Sequence, residues 1–177
     1  AFGPHTEDGF YYDIDMPHRL SPDDFPAIEA KMKEIVKAKH PFVREEIERD
    51  AALELFREAS EDFKVETIDA IPSDATLTLY KSGAFTDLCR GPHVDDTGKI
   101  RAFKLLRVAG AYWRGNEKGP MLQRLYGTAF PDKKQLKKHL MMLEEAKKRD
   151  HRKLGTELGL FHFDPIAPAS PFFTGRG

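Results

Sequence analysis

One cysteine, Cys89, and one tryptophan, Trp113, stand in a chain of 177 residues. A lone cysteine permits no internal disulfide, which fits a reducing compartment such as the cytoplasm. No apolar run reaches the ~20 residues that a membrane-spanning helix needs. The first residues lack the basic-then-apolar pattern of a signal peptide. Glycines form neither a Walker-type nor a dinucleotide-type fingerprint, so the sequence does not support a nucleotide site. Seven histidines include no His-x-x-x-His pair that would put two imidazoles on one helix face. Cys89 and His93 alone are too few for a self-contained zinc site, because zinc takes three or four protein ligands. Internal repeats and low-complexity segments are lacking as well.

Net charge is almost absent, at −1, but it hides an asymmetry. Residues 1–98 carry 11 Lys+Arg against 22 Asp+Glu, and residues 99–177 carry 17 against 7. A half that basic, with Tyr112, Trp113, Tyr126 and Phe130 among its charges, suits a polyanion such as nucleic acid. The competing reading is that the halves neutralise each other in the fold, or that the lysines line a solvated helix face.

What remains is ordinary for a soluble globular chain, with length for one domain and a little more. Gly9-Phe-Tyr-Tyr-Asp-Ile-Asp15 alternates and predicts a strand. Ser21-Pro-Asp-Asp24 is a helix start, with serine at the N-cap, proline at N1 and acids in the first turn. Phe25, Ile28, Met32, Ile35 and Val36 continue it at helical spacing to about Lys39, and His40-Pro41 stops it. Further strands are predicted at 42–47, 76–80, 84–89, 103–109 and 121–129. Asp50 is expected to cap a short helix, and Phe63–Ile71 has helical spacing. Asp132 opens the longest helix, expected to reach Leu158 with a stripe of Leu136, Leu140, Leu143 and Ala146 among many lysines. Strands with segregated helices predict an α+β fold with a mostly antiparallel sheet, helices packed on it, and a long basic helix after it.

Chemistry concentrates in Asp87-Leu-Cys-Arg-Gly-Pro-His93. In a strand running to Cys89, Asp87 and Cys89 share a face, and the Gly91-Pro92 turn swings His93 back toward it. A thiol, an imidazole and a carboxylate meeting there can bind a metal, attack a carbonyl or position a water. In the second case Asp87 orients the imidazole as the third member of a Cys-His pair.

Asp-Leu-Cys-Arg-Gly-Pro-His (87–93), Ala-Gly-Ala-Tyr-Trp-Arg-Gly (109–115), Met-Leu-Gln-Arg-Leu-Tyr-Gly-Thr-Ala (121–129) and Arg-Asp-His-Arg-Lys-Leu-Gly (149–155), with Gly9-Phe-Tyr-Tyr-Asp13, resemble threonyl-tRNA synthetases. The resemblance implies an editing domain over 1–131, shared in outline with alanyl-tRNA synthetases, a linker helix over 132–158, and the start of an aminoacylation domain over 159–177. It implies hydrolysis of serine wrongly esterified to the threonine tRNA, by water attack on the ester. Carried over residue by residue, Cys89 and His93 form one metal-free half of the site, with Asp87 beside them, Lys64 as a functional lysine and Tyr12 as a pocket tyrosine. Arg90, Arg114, Lys147, Lys148, Arg149 and Arg152 are the cations expected to meet tRNA. ATP, magnesium and a zinc ion are expected only in the full-length enzyme, which is expected to be a cytoplasmic homodimer.

In that family a His-x-x-x-His half precedes the position of Gly3-Pro4. The polypeptide is therefore expected to fold but to hydrolyse poorly by itself. A free-standing deacylase and a non-catalytic tRNA-binding module are the rival readings.

Overall fold

The computed structural model describes residues 3–7, 9–149, 154, 157–163 and 171–175. Its described elements are β1 (His5–Thr6), β2 (Gly9–Ile14), α1 (Phe25–Ala38), β3 (Val43–Ile47), α2 (Arg49–Glu58), α3 (Asp62–Ala70), β4 (Leu77–Ser82), β5 (Phe85–Leu88), β6 (Ala102–Tyr112), β7 (Met121–Phe130), α4 (Lys133–Lys148), β8 (Phe161–Phe163) and β9 (Pro171–Phe173). The α+β class with antiparallel pairing is as expected. The strands do not join one sheet, however. They form a four-stranded sheet β1-β2-β7-β6, a three-stranded sheet β3-β4-β5 and the hairpin β8-β9. The chain divides into two units, residues 1–133 and 134–177.

α1 covers one face of the four-stranded sheet, where Phe25, Leu105 and Leu125 are buried with Phe10, Ile14, Ile28 and Met32 packed against them. Its start follows the predicted chemistry. Ser21 Oγ accepts from the Asp23 N–H, the Asp24 carboxylate accepts from the Ser21 N–H at 2.8 Å, and Pro22 opens the first turn. That turn is 3-10 before the α-helix proper begins.

α1 also carries a buried carboxylate. The β6–β7 pairing slips between Leu105 and Arg107, and such a bulge leaves a backbone group without a ladder partner. Glu29, 7% exposed, accepts from the Leu105 N–H at 3.0 Å and from Lys104 Nζ. Glu29→Ala leaves that amide buried without an acceptor, so a loss of ~1–3 kcal/mol in urea-denaturation stability is expected. Unchanged stability would mean that water or a neighbour takes over the amide.

α2 and α3 pack on the three-stranded sheet around Ala52, Phe56, Ile68, Leu77 and Leu79. Arg49 ties the end of α3 down, donating to the carbonyls of Ile68, Ile71 and Pro72 at 2.5, 2.8 and 2.6 Å. Asp50 is not the cap of α2. Glu48 holds the N-cap position in extended backbone, without a side-chain cap bond, and the helix begins at Arg49.

β6 continues to Tyr112, so most of the Ala109–Gly115 stretch is strand rather than a connection. A 3-10 turn at Trp113–Gly115 follows, and there the chain docks on α3. Trp113 Nε1 donates to Glu66 at 2.9 Å, Phe63 packs on the indole, and Arg114 pairs with Glu66 at 3.3 Å.

In the second unit, α4 spans sixteen residues, with Leu136, Leu140 and Leu143 half-buried and Ala146 exposed. The predicted extension to Leu158 crosses Asp150–Lys153, which lies outside the described residues. No described helix is long and apolar enough to cross a membrane.

Candidate functional site

Lys64 and Ile68 sit one helical turn apart on the buried stripe of α3. Lys64 is only 5% exposed, and an ammonium that deep must be paired. Its partner is Asp87 on β5, whose Oδ1 accepts from Lys64 Nζ. The other carboxylate oxygen accepts from the Tyr12 hydroxyl at 3.2 Å, so β2 of one sheet, β5 of the other and α3 meet at this carboxylate. Burial, then the Asp87 charge, push the Tyr12 phenol well above its usual range, with Glu61 adding to the effect. At neutral pH Tyr12 is therefore a fixed hydrogen-bond donor. The three side chains line a cleft of about 280 Å³, together with Leu55, Phe56, Ala59, Glu61, Ala84, Phe85 and Thr86.

Two residues beyond Asp87 the strand has ended. Cys89 is held by backbone, its N–H donating to the Thr78 carbonyl at 3.0 Å and its carbonyl accepting from Thr78 Oγ1 at 2.5 Å. The Gly91–Pro92 peptide is cis. The loop returns His93, whose Nε2 lies 3.2 Å from Cys89 Sγ; the Gly91 N–H also points at that sulfur, at 3.4 Å. The imidazole stacks on Phe42 and meets Tyr80 edge-on, with ring centroids 5.1 and 4.2 Å away. Burial lowers the His93 pKa below its usual 6.5, opposed by the more distant Asp87 charge. The ring is neutral at pH 7 and can accept a proton.

The expected proximity of Cys89 and His93 is present, whereas the meeting of Lys64, Tyr12 and Asp87 was not anticipated. The expectation that Asp87 orients His93 is not met. Both Asp87 oxygens are taken by Lys64 and Tyr12, because its side chain turns toward α3 while Cys89 has already left the strand. Among the described residues no group of three or more His, Cys, Asp or Glu converges as metal ligands.

Arg90 is exposed beside Cys89. Arg114 faces Glu66 and lies 5.4 Å from the Trp113 ring centroid. Lys147 and Lys148 end α4 and Arg149 follows it in a turn, with Lys148 and Arg149 near Glu145 at 3.4 and 3.7 Å. Arg152 lies outside the described residues. Sequence reasoning missed Phe42 and Tyr80, which read as ordinary strand aromatics, and Glu61, whose only signal was its place three residues before Lys64.

Comparison with known proteins bears on this geometry. Residues 77–126 match the threonyl and alanyl tRNA synthetase second additional domain, a span that holds β4, β5, the Cys89–His93 loop and most of β6 and β7. Over its whole length the chain is 53% identical to a threonine–tRNA ligase of Syntrophomonas wolfei, 57% to one of Desulfatibacillum aliphaticivorans and 55% to one of Clostridioides difficile. It spans 27–28% of the length of these relatives. With a matching domain at the site and such identity from end to end, the chain belongs to the threonyl-tRNA synthetase family as a segment that includes the second additional domain.

Proposed function

We propose that this segment serves a threonine–tRNA ligase as its proofreading chamber, which hydrolyses the ester of seryl-tRNA(Thr). The observation that carries the reading is the presence of two polar assemblies next to each other in the chain, at the end of β5. Lys64, Tyr12 and Asp87 meet at a cleft, and the Cys89–His93 pair stands two residues further on. Serine lacks only threonine's methyl group, and one methylene is worth ~1–3 kcal/mol in a pocket, too little for a charging site alone to reject it. A second site that mis-seats the extra methyl supplies the missing discrimination.

In the hydrolysis, water oxygen bonds to the ester carbonyl carbon and the bond to the ribose oxygen breaks, releasing serine and tRNA. Neutral His93 accepts the water proton, and that proton passes to the departing ribose oxygen. Lys64 has three donors, of which Asp87 takes one, leaving others for the seryl hydroxyl or the carbonyl oxygen. Cys89 steadies the imidazole rather than attacking the ester. The direct test of binding uses a seryl-adenosine analogue with an amide in place of the ester. Adding it to this chain is expected to shift the NMR signals of Lys64, Asp87 and His93. Shifts confined to other surfaces would remove the assignment.

Translation in the cytoplasm and contact with the rest of the ligase chain, expected to dimerise, belong to the same proposal. So does tRNA as partner. Three cations of the basic half already face carboxylates of the acidic half: Lys104 with Glu29, Arg114 with Glu66 and Arg124 with Asp13. The tRNA contact therefore falls on cations not tied to the acidic half, above all Lys147 and Lys148 of α4 and Arg149 just beyond it. Each phosphate neutralised should contribute ~0.7–0.9 to the slope of log affinity against log salt. Replacing Lys147 and Lys148 together by alanine should flatten the slope by one to two such steps, read by filter binding across salt concentrations. An unchanged slope would make α4 a solvated helix only.

A further inference from the structure

We propose that Phe42 and Tyr80 are positioning residues that clamp the His93 imidazole and aim its Nε2, one ring stacked on it and the other meeting it edge-on. The kinetic part of this inference rests on the proposed ester hydrolysis, whereas the structural part stands without it.

His93 lies in a stretch with no strand or helix of its own, between Cys89 and the 3-10 turn at Thr97–Lys99. Backbone pairing therefore does not hold its ring. Stacking at 10° on Phe42, edge contact at 69° with Tyr80 and the contact to Cys89 Sγ are what fix it. Aromatic pairs in such geometries contribute ~0.5–1.5 kcal/mol beyond area burial, enough to favour one ring placement about two- to tenfold each.

The clamp is itself anchored on both sides. Tyr80 is on β4, the middle strand of its sheet, directly opposite Asp87 in register. Phe42 is fixed to the loop that follows His93. Its N–H donates to the Asp95 carbonyl at 3.0 Å, Pro41 bridges to Asp96, and the Thr97 N–H donates to the His40 carbonyl at 2.9 Å. Thr97 Oγ1 in turn accepts from the His40 N–H and donates to the Ile35 carbonyl at the end of α1.

The Gly91-Pro92 turn gains a physical reason from the same ring. Gly91 has φ +74°, and a Cβ built on it would lie 2.2 Å from the Tyr80 hydroxyl oxygen. Glycine here both tolerates the left-handed backbone and lets the loop lie on Tyr80. No side chain other than hydrogen fits between loop and clamp.

Packing rings against an imidazole takes water from it and favours its neutral form. The titratable groups that face His93 are Cys89 from its own loop, Asp87 from β5 and the Tyr80 hydroxyl from β4, and Phe42 adds none. Asp87 pulls the His93 pKa upward, so the net lowering is the work of burial. Opening the clamp should move it up.

The test has two arms. Histidine-labelled 177-residue chain is titrated by NMR, with the His93 signal identified by its loss in His93→Gln. The parent signal should titrate below 6.5. In Tyr80→Leu and in Phe42→Leu the midpoint should rise, and in Tyr80→Phe it should stay. In the complete ligase, Tyr80→Leu should lower kcat for seryl-tRNA(Thr) hydrolysis roughly tenfold or more, since ring misplacement is felt in the transition state. KM and threonine charging should remain, and Tyr80→Phe should restore kcat.

If Tyr80→Leu fails to fold, Phe42→Leu, on the half-buried outer ring, carries both arms. An unmoved His93 titration in a folded leucine variant overturns the clamp. A moved titration with parental kcat overturns the positioning role. A parent ligase with no seryl-tRNA hydrolysis sinks the proposed function, and the titration arm then still decides the clamp.

Discussion

Replacing His93 or Cys89 by alanine in a threonine–tRNA ligase that contains this segment is expected to let serine accumulate on tRNA(Thr). Clearance of the seryl ester should fall roughly 100-fold, the usual cost of losing a group that takes a proton or holds the reacting water. Threonine charging should stay near the parental rate, because the charging site needs neither residue. His93→Ala should have the larger effect. It removes the proton acceptor, whereas Cys89→Ala removes a contact 3.2 Å away that steadies it. The pH dependence adds a sign check. The His93 pKa is lowered, so the neutral form persists below 6.5, and parental clearance should decline only once pH falls through that lowered value. Equal loss of charging and clearance in both variants would instead mark Cys89 and His93 as residues needed for folding.

The second large effect is on stability. Asp87→Ala leaves the Lys64 ammonium, 5% exposed, without its carboxylate, and stranding one partner of a buried ion pair costs ~3–5 kcal/mol. Lys64→Met should cost less. The Asp87 side chain is 18% exposed and keeps the Tyr12 hydroxyl as a donor. The double variant Lys64→Met, Asp87→Ala should be more stable than Asp87→Ala alone, since no charge is then left unpaired. Urea denaturation of the 177-residue chain reads all three. Simple additivity of the two single effects would show that Lys64 and Asp87 do not depend on each other, contrary to the geometry.

Local signals in the sequence carried the elements well. Ser21-Pro22 marked the entry to α1, alternation marked β2 and β4, and Gly91-Pro92 marked the turn that brings His93 onto Cys89. The Cys89–His93 contact was legible because four residues and a turn separate the pair. Longer contacts were not legible from spacing. Lys64 and Asp87 are 23 residues apart and Tyr12 and Asp87 are 75 apart, so only the family resemblance singled out Lys64 and Tyr12.

Alternation shows that a segment is a strand but not which strand it meets, which is why two sheets read as one. Glu29 looked like one more acid on a charged helix. Its burial depends on a bulge in β6, and nothing in the sequence of β6 announces an amide that needs an acceptor. Asp87 was assigned to His93 on proximity in sequence. The strand ends between them and the carboxylate turns toward α3.

Single-turnover hydrolysis of preformed seryl-tRNA(Thr) and threonyl-tRNA(Thr) by the complete ligase, parent beside His93→Ala, tests the proofreading reading most directly. The parent should clear the seryl ester roughly 10–200-fold faster than the threonyl ester, the range one methyl group can command. His93→Ala should lose most of the seryl rate. Equal clearance of the two esters by the parent, or a seryl rate untouched by His93→Ala, would contradict the account.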